Sequence, residues 1–287
     1  MTLAGLVRAV STHAPFGALS VPAGVTDAPV TGIAYDSRTV AAGNVFVALR
    51  GQHAAGAAFA RDAVARGAIA VFAEAPAPSD VAVPWIQVAD SRLVLAALSH
   101  EYFDRPSERI TLVGITGTNG KTTTSYVLAS IFEAAGIPCG RLGTVGYRIG
   151  TREYEAARTT PEAPELQQML RDMIAQGCGA CVMEVSSHAL EQGRVKGVKF
   201  RTAIFTNLTQ DHLDYHGTME RYAAAKELLF ARLGNVYPAN PDERSYAVLN
   251  ADDPASAAFA RATAAETITY GIDRPADVRA ENIRITA

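Results

Sequence analysis

An α/β fold, with helices layered over mostly parallel strands, is what this 287-residue sequence predicts. Short apolar runs alternate with helical patterns almost throughout, as layered α/β chains require. One buried-type run, residues 110–116, leads into a glycine-rich turn and then a helical pattern, the opening unit of a nucleotide-binding domain. The length argues for two domains, at roughly 150 residues each. Hydrophobic residues at 48% and charged residues at 19% exclude a mainly disordered chain.

The chain opens with Leu3, Leu6, Val7 and Val10 at helical spacing. It lacks the long apolar stretch and cleavage site of a signal peptide, so a docked helix is expected. Strands follow near 32–35, 45–49, 69–73 and 85–88, with helices near 57–66 and 91–103. These make a first domain over residues 1–107. The charged, proline-containing stretch 104–109 has no apolar period and reads as a linker. A second domain over 108–287 adds strands near 180–185, 203–207, 245–249 and 267–270, with helices near 164–176, 219–233 and 254–262. Residues 281–287 read as a strand just begun, so a domain cut short is expected.

Twenty-six Lys and Arg against 29 Asp and Glu leave a formal charge of −3, which excludes a general nucleic-acid binder. No run reaches the 18 or more apolar residues of a membrane span. Three cysteines, an odd number in a chain of this size, fit a reducing compartment, and the cytoplasm is expected. Cys178 and Cys181 have the spacing of redox and zinc sites, but no second ligand pair accompanies them, so core packing is the better reading. Trp85, on an expected strand, also reads as core.

The turn after the first strand of the second domain runs Gly114, Ile115, Thr116, Gly117, Thr118, Asn119, Gly120, Lys121, Thr122, Thr123. Glycines there let backbone N–H groups face phosphate oxygens, Lys121 would reach the terminal phosphates, and the Thr122 hydroxyl would ligate Mg²⁺. The strict phosphate-loop pattern is missed by one place, since Ile115 holds the first glycine position and Gly114 precedes it. A glycine-rich turn that binds nothing is the bland alternative, but the strand before and the helix after favour an ATP site. Glu184, in Met183-Glu184-Val185-Ser186-Ser187-His188, stands at a strand's carboxyl end, where ligands of open α/β sheets collect. A hard carboxylate there suits Mg²⁺. The polar turn Asn207 to Gly217 carries Asp211, His212, Asp214 and His216, a set more often structural than metal-binding when taken alone. Lys226 lies one helical turn beyond Tyr222 and, on spacing alone, is a surface lysine.

The loop GITGTNGKTTT, then TTPEA at 159–163, MEVSSHAL and FTNLTQDHLDYHGTMERYAAAK stand in one order with compatible spacing. Together they resemble the Mur ligases. Tyr35-Asp36-Ser37-Arg38 and the segment 45–53 are similar to that family's uridine-binding domain, so the resemblance covers the whole chain. It implies a small UDP-binding α/β domain followed by a phosphate-loop, mostly parallel central ATPase domain. Within the family the motifs look like those of members that add the third residue of the peptidoglycan stem. The implied reaction is ATP-dependent amide formation joining diaminopimelate or lysine to UDP-N-acetylmuramoyl-L-Ala-D-Glu through an acyl phosphate. The neighbouring member that adds D-Ala-D-Ala, and a non-catalytic fragment that only holds the UDP-muramoyl peptide, are the alternatives.

The resemblance assigns Gly117, Thr118, Asn119, Gly120, Lys121, Thr122 and Thr123 to ATP. It places Thr122, Glu184, His212 and Lys226 around Mg²⁺, with Lys226 carbamylated by CO₂. Catalysis would rest on Lys121, Glu184, His212 and Lys226. Tyr35, Ser37, Gln52, His53 and Ala54 match positions that hold the UDP-sugar; Thr159, Thr160, Ser186, Gln192 and Arg194 match those around its peptide and carboxylate. Arg158 stands where relatives carry asparagine. Family members also have a C-terminal domain beyond this chain's last residue, so the chain alone is expected not to be a complete ligase.

Overall fold

The computed structural model describes residues 1–12, 24–50, 56–235, 240 and 243–284. The chain divides into two compact units. The first comprises Met1–Pro106, Glu162–Gln168 and Gly193–Gly197; the second comprises Ser107–Pro161, Met169–Gln192 and Val198–Ala287. Among the described residues no helix is long and apolar enough to cross a membrane.

In the first unit, α1 (Leu3–Ser11) is capped by Thr2, whose hydroxyl accepts from the Gly5 amide, and buries the four apolar residues that the spacing predicts. Strands β1 (Gly32–Ala34) and β2 (Asn44–Ala48), helix α2 (Ala60–Ala65), β3 (Ala70–Ala73), β4 (Trp85–Gln87) and α3 (Ser91–Tyr102) follow. The sheet runs β1-β2-β3-β4 and every pairing is parallel. Alternation explains why every residue of β2 and β3 is buried. Val45, Val47, Ala70 and Phe72 pack in one cluster with residues of α1 and α3, while Phe46, Ala48, Val71 and Ala73 pack in another with residues of α2. Trp85 is half-buried rather than fully core, because its indole N–H reaches out to the Ala75 carbonyl at 2.9 Å.

The second unit opens with β5 (Thr111–Thr116) and α4 (Lys121–Ala134), then β6 (Cys139–Leu142), β7 (Tyr147–Ile149) and β8 (Arg152–Tyr154). Helix α5 (Ala163–Ala175), whose first residues group with the first unit, leads to β9 (Ala180–Glu184) and α6 (Ser187–Glu191). Then come β10 (Thr202–Phe205), α7 (Leu213–His216), α8 (Met219–Glu227), β11 (Tyr246–Asn250), α9 (Ser256–Ala262), β12 (Glu266–Gly271) and β13 (Val278–Arg279). The nine strands are ordered β13-β12-β11-β10-β5-β9-β6-β7-β8, antiparallel only where β7 pairs with β6 and β8. Strand order turns about β5, which lies between β9 and β10, so the carboxyl ends of these three parallel strands lie side by side, where ligands of open α/β sheets collect.

Of the strand expected at 281–287, residues 281–284 form no strand and residues 285–287 lie outside the described residues; a two-residue strand, β13, stands just before them at Val278–Arg279. The expected helix at 219–233 stops at Glu227, after which Leu229, Phe230 and Leu233 turn inward and Phe230 stacks on Phe259 at 5.2 Å. Cys139, Cys178 and Cys181 are free and buried, and burial pushes the Cys139 thiol up to about 11, which makes it inert.

Candidate functional site

At the end of β5 the backbone packs closely against the end of β10. Gly117 has φ 148°, and a Cβ there would lie 1.9 Å from Thr206 Oγ1. The turn is held to the end of β10: the Thr118 amide donates to the Asn207 carbonyl at 2.8 Å, and the Asn119 amide donates to Asn207 Oδ1 at 3.0 Å. Thr206 Oγ1 and Asn207 Nδ2 both donate to the Asn119 carbonyl, at 2.7 and 3.1 Å. Thr118 Oγ1 donates to the Thr209 carbonyl at 3.1 Å and accepts from its amide at 3.0 Å. A neighbouring strand end thus shapes the loop before any ligand arrives. The bonding partners Thr206, Asn207 and Thr209 carry no spacing signal in sequence.

Gly120 caps α4 without a side-chain hydrogen bond. Lys121 Nζ folds back onto the Gly117 and Thr118 carbonyls at 2.9 and 2.8 Å. Burial lowers its pKa, partly offset by the charges of Glu184 and Asp211. Thr122 is half-buried, whereas Asn119 and Thr123 are exposed.

Lys226 is not a surface lysine. It is 1% exposed, and Nζ donates to the same Gly117 carbonyl at 2.8 Å. The cause is the i, i+4 stripe it shares with Tyr222, which faces the loop: the Tyr222 hydroxyl lies 3.3 Å from Thr118 Oγ1, and its ring sits 4.3 Å from the Lys226 ammonium. Burial, then the nearby Lys121 charge, lower the Lys226 pKa to about 7, with Asp211 acting in the opposite direction.

Glu184 is 1% exposed at the end of β9. Its Oε1 accepts from the Thr144 amide at 3.2 Å and its Oε2 from the Thr144 hydroxyl at 3.0 Å. His212 adopts a left-handed backbone, φ 53°, uncommon for a non-glycine residue and costly unless its surroundings impose it. Its amide donates to Asp211 Oδ1 at 2.8 Å, and its ring meets His188 edge-on at 5.0 Å. His216 is buried, with Nε2 at 2.9 Å from Ser187 Oγ and Nδ1 at 3.2 Å from Glu191, and fastens α7 to α6. Burial lowers its pKa, opposed by Glu191.

Among the described residues no three His, Cys, Asp or Glu side chains are arranged to hold a metal by themselves. Magnesium rarely asks for that, since it takes one or two carboxylates and completes its shell with phosphates and waters. The set expected from the sequence is partial in this way: the Thr122 hydroxyl, the Glu184 carboxylate and the His212 imidazole. The glycine cradle and the two lysines at its rim suit the polyphosphate that would complete it.

The residues expected around the second substrate fall in both units. In the first, Tyr35 OH donates to Glu165 Oε1 at 2.8 Å, Ser37 is buried, and Arg194 Nε lies 2.9 Å from Glu162 Oε1. The Arg194 charge is thereby already met by a carboxylate within the TTPEA segment. In the second, Thr160 is fully buried and its hydroxyl is spent: it donates to the Glu184 carbonyl at 2.9 Å and accepts from the Ser186 amide at 3.1 Å. Thr159 and Ser186 are half-buried, and Gln192 Nε2 donates to Tyr215 OH at 3.3 Å. Exposed Arg158 lends its carbonyl to the Tyr147 hydroxyl. Gln52, His53 and Ala54 lie outside the described residues.

Residues 115–287 match the family model described as Mur ligase middle domain, and residues 29–103 match one described as Mur ligase family, catalytic domain. The UDP-N-acetylmuramoyl-L-alanyl-D-glutamate--2,6-diaminopimelate ligase of Geobacillus kaustophilus is 50% identical over 260 residues, 90% of this chain and 52% of its own length. That of Bacillus licheniformis is 48% identical over 263 residues, 92% and 53%. A solved structure of a ligase of this name superposes with TM-score 0.79 at 29% identity, over 97% of this chain and 54% of that one. MurF from Acinetobacter baumannii shares the fold, with TM-score 0.60 at 24% identity over 89% and 51%. The chain spans about half the length of the curated relatives it matches. With its middle-domain match running through more than half of its residues, the chain belongs to the Mur ligase family.

Proposed function

We propose that this chain carries the nucleotide-sugar and ATP-binding portions of a ligase of peptidoglycan precursor synthesis. The full enzyme would join meso-diaminopimelate to UDP-N-acetylmuramoyl-L-Ala-D-Glu. One observation carries the reading: a buried lysine, Lys226, and a half-buried one, Lys121, converge on the Gly117 carbonyl with no carboxylate at ion-pair distance among the described residues, a concentration of positive charge that a polyphosphate would neutralise. The choice of diaminopimelate over lysine rests on the names of the curated relatives. Three buried free thiols fit a reducing cytoplasm.

In this reading Gly117 to Thr123 hold the ATP phosphates, and Lys121 leaves its two carbonyls to neutralise charge on the transferring phosphoryl group. A D-Glu side-chain carboxylate oxygen bonds to the γ-phosphorus as its bond to ADP breaks; the incoming amine then takes the acyl carbon, phosphate departs, and a proton is released. Bound Mg²⁺ would supply further charge neutralisation, held through Thr122, Glu184 and His212. Lys226 sits where an added carboxylate would face the same cation. Its neutral amine would attack CO₂, forming an N–C bond and losing one proton, which turns a buried cation into an oxygen ligand. Tyr35, Ser37 and Arg194 would serve the UDP-sugar and its carboxylate, and Thr159, Ser186 and Gln192 the peptide.

Calorimetric titration with UDP-N-acetylmuramoyl-L-Ala-D-Glu, with UDP alone as comparison and Mg²⁺-ATP added afterwards, tests the assignment. Tighter binding of the dipeptide form and heat on adding nucleotide are expected; a folded chain that takes neither ligand overturns it. For Lys226, ¹³C NMR in labelled bicarbonate should show a carbamate resonance that Lys226→Ala removes.

A further inference from the structure

We infer that Thr144, which no motif singles out, is a positioning residue that sets the pose of the metal-facing carboxylate of Glu184 and ties it to Thr159; the inference rests on the nucleotide-and-metal reading above. The loop after β6 supplies both partners of the carboxylate, the Thr144 amide to Oε1 and the Thr144 hydroxyl to Oε2. It also presses close: a Cβ on Gly143 would lie 2.2 Å from Glu184 Oε1. Two of the roughly four lone-pair directions of the carboxylate are thus used on the loop side, leaving the others for a cation. Glu184 is buried while Thr144 is exposed, so the loop forms the outer wall of the carboxylate.

The same hydroxyl lies 3.1 Å from Thr159 Oγ1. A hydroxyl has one proton, and the carboxylate can only accept, so Thr144 gives its proton to Glu184 and must accept from Thr159. The chain therefore runs from Thr159 through Thr144 to Glu184, each hydroxyl donating toward the carboxylate. With its proton committed, Thr159 offers a ligand only lone pairs, so the group it meets is an N–H or O–H donor of the acceptor peptide rather than a carboxylate oxygen. A shift in the pose of Glu184 is felt at Thr159, and the reverse.

The test is Mn²⁺ uptake by the chain in the presence of the non-hydrolysable nucleotide AMP-PNP, followed by electron paramagnetic resonance, with thermal unfolding run in parallel. Thr144→Val keeps the shape and removes the hydroxyl; it should weaken Mn²⁺ uptake about tenfold to hundredfold, as loss of a ligand's supporting partner does. Thr144→Ser should restore it, and Gly143→Ala should weaken it by displacing the carboxylate. Thr159→Val should weaken uptake less, and should add nothing in the Thr144→Val background. Parent-like uptake by a folded Thr144→Val chain, failure of Thr144→Ser to rescue, or additive effects of the two valine substitutions overturns the inference alone. Absence of uptake by the parent chain overturns the nucleotide reading and the inference with it.

Discussion

Two helices of this molecule, α3 in the first unit and α4 in the second, begin in opposite ways. In the first unit α3 begins beneath two carboxylates: Asp90 accepts from the Leu93 amide at 2.9 Å, and Glu74, just beyond the end of β3, accepts from the Ser91 amide at 3.0 Å and its hydroxyl at 2.8 Å. The positive end of that helix is satisfied from within the chain. In the second unit α4 begins at Gly120 with no side-chain cap, and two lysines, rather than two carboxylates, gather at the loop before it. Both helices follow loops at the carboxyl ends of parallel strands, but α4, unlike α3, has no side chain closing its N-terminus. The difference teaches where an anion is missing: parallel topology provides the position, and without an internal carboxylate that position stays open to the phosphates of the function proposed above.

The comparison breaks most sharply at Gly117. Gly117→Ala forces a methyl against Thr206 Oγ1 and should cost about 3 kcal/mol of unfolding free energy, read by denaturant titration. A loss below about 1 kcal/mol would show that the β10 end yields easily.

Lys226 gives the next effect. Its folded pKa of about 7 lies below its ordinary value of 10.5, so the unfolded chain binds more protons between those limits, and stability should rise with pH from about 7 toward 10.5. Lys226→Met, in CO₂-free buffer, should be the more stable chain near pH 6 by about 2 kcal/mol and should lose that pH slope. Parallel stability profiles for the two chains would refute the burial argument.

Lys121→Ala should weaken AMP-PNP binding roughly thirtyfold by calorimetry, as loss of a charged hydrogen bond does. Smallest of all, Asp90→Ala in the first unit should cost about 1 kcal/mol of stability, the value of an N-cap, and leave nucleotide affinity unchanged. A fall in AMP-PNP affinity with Asp90→Ala would mean that the two helix ends are not independent.

Much of the fold was legible in local pattern. The apolar stripe of α1, the alternating faces of β2 and β3 and the glycine turn between β5 and α4 all follow from periods of 3.6 or 2 and from backbone demands that act within a few residues. Short β6, β7 and β8 left no such trace: Cys139-Gly140-Arg141-Leu142 is too brief and too polar to read as a strand, and it becomes one by pairing with β9. The loop that follows it, with Thr144, was invisible for the same reason.

The sequence by itself therefore determined the α/β class, the phosphate-type turn and the residue types that chemistry needs, because periodicity and glycine placement are local properties. Only the tertiary structure decided which of those residues meet. Strand order brought the end of β10 against Gly117, an i, i+4 stripe turned Lys226 inward, and the β6 loop took hold of Glu184. Contacts across more than 40 residues of chain, such as Lys226 to Gly117, depend on which strands lie side by side, and no local pattern encodes that.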